Sequence, residues 1–250
     1  MSRLSIEHIS KWFGTNRVLH DISFSFQPGE VNMIIGPSGC GKTVLLKCIV
    51  GLVHPEEGKV YFGDLDFLQA DVETRRTVLR NLGMLFQSSA LFDSMTVGEN
   101  VAFPLRVFTQ YGEAEIQDRV SYCLERVGLA GVQRKYPAEL SGGMKRRVGL
   151  ARAIALNPHY LFCDEPNSGL DPLTARRIDA LIQEITGEFH TTTVVVTHDL
   201  KSVLEMGQKI LFLYEGKAEW QGEKKEMVDN LDALPLNLQA FLRASGLVQR

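Results

Sequence analysis

The sequence predicts an α/β fold interrupted by an all-helical insert near residues 88–155. Three observations predict it. A β-rich run, Val31–Ile35, ends in a glycine-rich loop that opens a helix at Lys42. A second apolar run, 160–163, ends in two carboxylates, Asp164 and Glu165. Between them the period-two signal of strands gives way to the 3.6-residue spacing of helices.

Bulk composition fits that class. The chain has 250 residues, 44% apolar and 23% charged, which is ordinary for a globular protein that buries a core without staples. Net charge is −3, which argues against a protein that wraps a polyanion, and no nucleic-acid partner is expected. Cys40, Cys48, Cys123 and Cys163 form no C-x-x-C pair and no metal spacing, so they are expected as reduced, packed thiols of a cytosolic chain. The first ten residues carry Arg3, Glu7 and His8, unlike a signal peptide. No apolar run approaches the ~20 residues of a membrane span, so any membrane must come from a partner.

Along the chain, 4–9 and 18–26 are predicted strands with 14–16 as their turn, closed by Pro28-Gly29. After Val31–Ile35, residues 42–50 form a helix with Leu45, Leu46 and Ile49 on one face. Strands are expected at 59–62 and 82–86. The insert holds helices over Val97–Phe108, 113–127 and 144–156, the second with Ile116, Val120, Cys123, Leu124 and Val127 at helical spacing. On the third, Lys145, Arg146 and Arg147 read as a solvated face, with Arg152 further along it. Strands return at 160–163 and 192–196, flanking a helix over Pro172–Phe189. A hairpin at 210–214 and 218–221 turns at Glu215-Gly216, and short helices follow from Glu223.

Gly36, Pro37, Ser38, Gly39, Cys40, Gly41, Lys42 and Thr43 fit G-x-x-x-x-G-K-[ST] in the strand–loop–helix context that motif needs. Glycines without a Cβ let the backbone curl around phosphate and aim its N–H groups inward. The helix beginning at Lys42 adds the positive end of its dipole. Lys42 is placed on the β- and γ-phosphates of a nucleotide, and Thr43 on Mg²⁺. Asp164 and Glu165 stand at the carboxyl edge of a buried strand, where α/β proteins bind ligands. Asp164 suits Mg²⁺ and Glu165 suits a general base for an attacking water.

Leu140-Ser141-Gly142-Gly143-Met144 resembles the signature LSGGQ of ABC ATPases, with Met144 in place of glutamine. Other stations are similar and in the family's order: Gln87 of the Q-loop, Ser168-Gly169-Leu170-Asp171 of the D-loop, and His198 as the switch histidine. Phe13 resembles the adenine-stacking aromatic, with Trp12 the alternative. Singly, each also reads as plain packing or surface; the joint order carries the resemblance. It implies a P-loop NTPase fold, an ABC ATPase domain over 1–222 with an antiparallel β subdomain and a helical subdomain near 88–155, followed by a tail over 223–250. It also implies ATP and Mg²⁺, with Gln87, Thr43 and Asp164 about the metal and Lys42, Gln87, Glu165 and His198 in catalysis.

A narrower resemblance joins residues 86–97 and 100–106, together with the signature and Lys145-Arg146-Arg147, to the Mla group of lipid-asymmetry ATPases. That group implies phospholipid traffic between the membranes of a Gram-negative envelope and a place on the cytoplasmic face of the inner membrane. The implied partners are permease subunits, an MCE-type lipid-binding protein and a small cytoplasmic accessory subunit. In the family the signature loop cannot reach its own chain's phosphate loop. Two copies therefore sit head to tail, with Ser141, Gly142 and Gly143 of one completing the other's site. Ala90, Leu91, Phe92, Met95 and Phe103 either floor a groove for a permease helix or pack the insert. The tail leucines either cover the core edge or clasp the second copy.

Overall fold

The structure, a computed structural model, describes residues 3–244. In chain order the elements are β1 (Leu4–Phe13), β2 (Asn16–Phe26), β3 (Val31–Ile35), α1 (Lys42–Ile49), β4 (Glu57–Phe62), β5 (Leu65–Asp66), α2 (Val72–Arg80), β6 (Leu82–Leu85), α3 (Val97–Phe108), α4 (Glu113–Arg126), α5 (Gly142–Ala153), β7 (Tyr160–Asp164), α6 (Pro172–Phe189), β8 (Thr192–Thr197), α7 (Leu200–Met206), β9 (Lys209–Tyr214), β10 (Lys217–Glu223), α8 (Lys224–Asp229) and α9 (Leu236–Ala244). Two compact units divide them: one runs up to Leu79 and resumes at Thr192, and the other is Arg80–Thr191.

The first unit holds an antiparallel sheet in the order β2-β1-β4-β5. Its register sets Leu4 opposite both Phe26 and Phe62, and Ile6 opposite both Phe24 and Val60, so alternate apolar side chains gather on one buried face. The same unit carries β10-β9-β3-β8, with β3 parallel to β8 and β9. Every residue of β3 and β8 is buried, as parallel strands covered on both faces must be, which explains their unbroken apolar and β-branched sequences. The tail packs on this unit: Leu234, Leu238 and Leu242 are buried, and the Phe241 ring lies 5.5 Å from that of Phe212 on β9. This favours the covering role of the tail leucines; residues 245–250 of the tail lie outside the described residues.

In the second unit β6 and β7 pair in parallel, Leu82 with Tyr160 and Leu85 with Cys163. Helix α3 begins on a capping box: Thr96 Oγ1 accepts from Glu99 N, and the Glu99 carboxylate accepts from Thr96 N at 2.7 Å. Buried Asn100 on α3 donates to the carbonyls of Phe92, Met95 and Thr96 and accepts from Phe92 N at 2.8 Å, fixing the loop that leads into the helix. Helices α3, α4 and α5 pack on one another, and Val101, Leu105, Val120, Leu124, Val148 and Leu150 on them are buried.

The structure corrects several boundaries. Strands β1 and β2 extend to Phe13 and back to Asn16, because cross-strand pairing carries them past their apolar cores. Helix α5 starts at Gly142 rather than 144, since Ser141 caps it, and it ends at Ala153 with Ile154 as its C-cap. Strand β6 stops at Leu85, short of Phe86. Helices α2 and α7 were not predicted; in α2 only Val78 is buried, so its sequence shows no apolar stripe. The four cysteines are free and buried, and burial pushes the thiols of Cys48 and Cys123 up to about 12 and about 11. No helix among the described residues is long and apolar enough to cross a membrane.

Candidate functional site

Strand β3 delivers the chain to Gly36, where the phosphate loop begins. Gly36, Gly39 and Gly41 have φ of 148°, 80° and 104°, a region that side chains disfavour. At Gly36 a Cβ would meet the Leu213 carbonyl oxygen at 2.1 Å, and at Gly41 the Leu19 side chain at 2.8 Å, so neither position admits another residue. The loop is braced from outside: Gly216 N donates to Cys40 O at 3.2 Å, and His20 N to Gly216 O at 2.8 Å. Lys42 is buried, and its Nζ donates to the carbonyls of Gly36 and Pro37 at 2.9 and 3.0 Å. The ammonium thus curls over the loop whose N–H groups would hold phosphate. Burial raises the Cys40 thiol, an effect that Lys42 opposes. Beside Gly39 lies a polar pocket of about 390 Å³ lined by Arg17, His20, Glu215 and Lys217 among others.

Phe13 ends β1 and is 51% exposed, with Lys11 Nζ 5.0 Å from its ring centroid, whereas Trp12 is half-buried with the Arg17 guanidinium 4.6 Å from its own. His198, exposed, follows the last residue of β8. Phe13, the phosphate loop and His198 all belong to the first unit.

The second unit holds the other stations. Asp164 is the buried last residue of β7. Glu165 follows it at φ 46°, in the left-handed region, and its carbonyl accepts from Ser168 N at 3.2 Å. The chain therefore reverses sharply at the proposed base. Asp171 caps α6, accepting from Leu173 N and Thr174 N at 3.1 and 3.0 Å; bonds from Thr174 hold its carboxyl below the usual range. Ser141 caps α5 and accepts from Met144 N at 3.3 Å. Ser141 and Gly142 are exposed, while a Cβ on Gly143 would meet Thr174 Cγ2 at 2.5 Å, so a larger residue there would require the Thr174 side chain of α6 to shift. Gln87 is exposed at the start of the segment after β6.

A family model described as ABC transporter matches residues 19–168, which take in the phosphate loop, Gln87, the 140–144 loop and the Asp164-Glu165 pair. This chain belongs to the ABC transporter family. It carries the ATPase domain of that family, in its P-loop NTPase fold. The chain is similar to a "probable ribonucleotide transport ATP-binding protein" of Mycobacterium leprae, 41% identical over 79% of this chain and 57% of that one. It is also similar to a methionine import ATP-binding protein of Clostridioides difficile, 39% identical over 90% of this chain and 70% of the relative. Thus it spans little more than half the length of the first of these relatives. Among solved structures it resembles the dimeric, post-hydrolysis form of the ATP-binding cassette MJ0796 bound to ADP and Pi, with TM-score 0.81, 30% identity, and coverage of 88% and 98% of the two chains.

One expectation for this ABC domain is overturned. Arg146 is not on a solvated face: it is 6% exposed, because its guanidinium donates to main-chain carbonyls of Phe86, Gln87 and Ser168. Arg147 likewise donates to Val127 O and Gly128 O at 3.1 and 3.0 Å, and Arg152 to Ser89 O and Ala90 O at 2.7 and 2.8 Å. Charge in a helix sequence signals solvent, and only the approach of loop carbonyls reverses that reading. An apolar groove of about 380 Å³ lies beside these loops, lined by Phe86, Ala90, Phe92, Phe103, Pro104 and Arg152 among others. Leu91 and Met95 are half-buried and do not line it.

Proposed function

We propose that this chain hydrolyses ATP as a subunit of an ABC transporter, acting as a head-to-tail pair of copies at a membrane that its partners span. The observation that carries the reading is the phosphate loop, with glycines at φ values and contacts that exclude other residues and Lys42 laid over it. Phe13, the more exposed of the two aromatics, takes the adenine ring. Exposed Ser141 and Gly142 at the N-terminus of α5 offer a hydroxyl and N–H groups to the γ-phosphate of the second copy's nucleotide. Met144 contributes no amide, so Ser141 and the backbone carry that contact.

Hydrolysis follows from Glu165 accepting a proton from the attacking water, with His198 and Gln87 orienting water and γ-phosphate. The donors assigned to Mg²⁺ are the Thr43 hydroxyl, the Asp164 carboxylate and the Gln87 amide, all oxygen ligands of the kind that ion selects. When bound, Mg²⁺ would neutralise charge on the β- and γ-phosphates. The deciding variant is Glu165→Gln, expected to bind ATP and to turn it over ~10²–10⁴-fold more slowly. Turnover equal to the parent protein would remove Glu165 as the base.

The groove at Phe92 and Phe103 is assigned to a short permease helix laid on its apolar floor. Replacement of Phe92 by Asp should abolish co-purification with the permease while leaving nucleotide binding intact; a permease still retained would sink this assignment. Phospholipid is the proposed cargo, with an MCE-type lipid-binding protein and a small cytoplasmic subunit as further partners at the inner membrane. Residues 86–97 and 100–106, similar to the Mla group, support it. Purification in mild detergent with mass spectrometry should find phospholipid bound to the complex. A second reading, import of another small solute, is favoured by the names of the relatives. Recovery of a soluble-solute-binding subunit, with no lipid, would establish it; recovery of ribosomes or DNA would point to a non-transport ATPase.

A further inference from the structure

Arg146 is buried on α5 without an ionic partner; no carboxylate among the described residues pairs with it. A cation in that position is unfavourable unless its N–H groups all aim at acceptors. Arg146 meets most of this need, and with main chain alone. Nη1 donates to Phe86 O at 2.9 Å and to Gln87 O, and Nη2 donates to Ser168 O at 3.2 Å. Only Nε is left without an acceptor. The three carbonyls come from two loops far apart in sequence, one carrying Gln87 and the other running from Glu165 to Asp171.

A second arginine of the same helix extends the tie. Arg152 donates to Ser89 O and Ala90 O, the carbonyls of two residues held at φ 62° and 44°. Left-handed backbone at two successive non-glycine residues persists only where surrounding contacts determine it. The run 86–90 therefore hangs from α5 by two guanidinium groups. The cap of that helix is Ser141.

We infer that Arg146 is a positioning residue for hydrolysis: it fixes the main chain at Gln87 and Ser168 to the helix that presents Ser141, so that these loops are set as one body. The inference rests on the hydrolysis reading above. Arg146 touches no reacting atom in this scheme; it acts through the loops it holds. A planar fork can bridge two loops, and an ammonium cannot hold the same three acceptors in that geometry.

The test uses the full chain as Arg146→Gln, Arg146→Lys and Glu165→Gln, with ATP titration, steady-state kinetics and thermal melting on each. The hydrogen bonds of Arg146 go to Phe86, Gln87 and Ser168 and none to the phosphate loop, so Arg146→Gln should keep its ATP dissociation constant within about twofold while kcat falls at least ~10-fold. Arg146→Lys should recover melting temperature ahead of kcat, because the charge is restored and the bridge is not. Arg146→Lys also serves where Arg146→Gln does not fold. Wild-type kcat in either variant overturns the inference, as does a kcat that rises and falls only with melting temperature. Normal turnover in Glu165→Gln would remove the hydrolysis reading and this inference with it. An inert Glu165→Gln beside a fully active Arg146→Gln would remove this inference alone.

Discussion

Glu165 stands in a left-handed conformation immediately after a strand whose residues are all buried. Such a backbone costs about 1–3 kcal/mol for a residue with a side chain. The cost is met by the fixed strand before it and by the Ser168 N–H that closes the turn after it. The result is a main chain held fixed at the residue assigned as the base. Lys42 shows the complementary device, a buried ammonium parked on two carbonyls of its own loop. Removal of that charge by Lys42→Ala should weaken ATP binding by about 10- to 100-fold, the loss of charge-assisted bonds to phosphate. Isothermal titration would read it, and unchanged affinity would reject the phosphate-loop assignment. Both residues were legible in the sequence because their chemistry demands fixed neighbours. Arg146 was not, because its acceptors are carbonyls, which every residue supplies.

At the scale of elements, the helices legible in sequence are those with a periodic apolar face, such as α4 with Ile116, Val120, Cys123 and Leu124. Helix α2 buries a single side chain and α7 spans only Leu200–Met206, so local spacing had little to reveal. Strand ends moved for a different reason: β1 continues to Phe13 through hydrogen-bond register with β2, a non-local effect. The start of α5 moved to Gly142 because its cap, Ser141, tolerates the glycines that follow it. Helix α3 has the strongest local signal, the reciprocal Thr96–Glu99 box. Thr96→Ala should lower stability by about 1 kcal/mol, within the ~0.5–2 kcal/mol range for lost caps, as chemical denaturation would show. A loss below a few tenths would mean that Asn100, not the cap, holds this end of the helix.

For the whole molecule, the family, the phosphate loop and the acidic strand end were all legible, since each is a short motif with its own context. The compact second unit, Arg80–Thr191, takes in β6, β7 and α6 together with the helices of the insert. The tail resolved toward the core, with Leu238 and Leu242 buried and Phe241 against Phe212. In the proposed head-to-tail pair, each chain completes the nucleotide site of the other. Ser141 and Gly142 are exposed, as that proposal requires. Sedimentation velocity of the Glu165→Gln chain measures this directly. With ATP and Mg²⁺ it should sediment as a dimer, with ADP as a monomer, and the added change Ser141→Arg should abolish the ATP-bound dimer. A chain that stays monomeric with ATP, or a dimer indifferent to Ser141→Arg, would contradict the account.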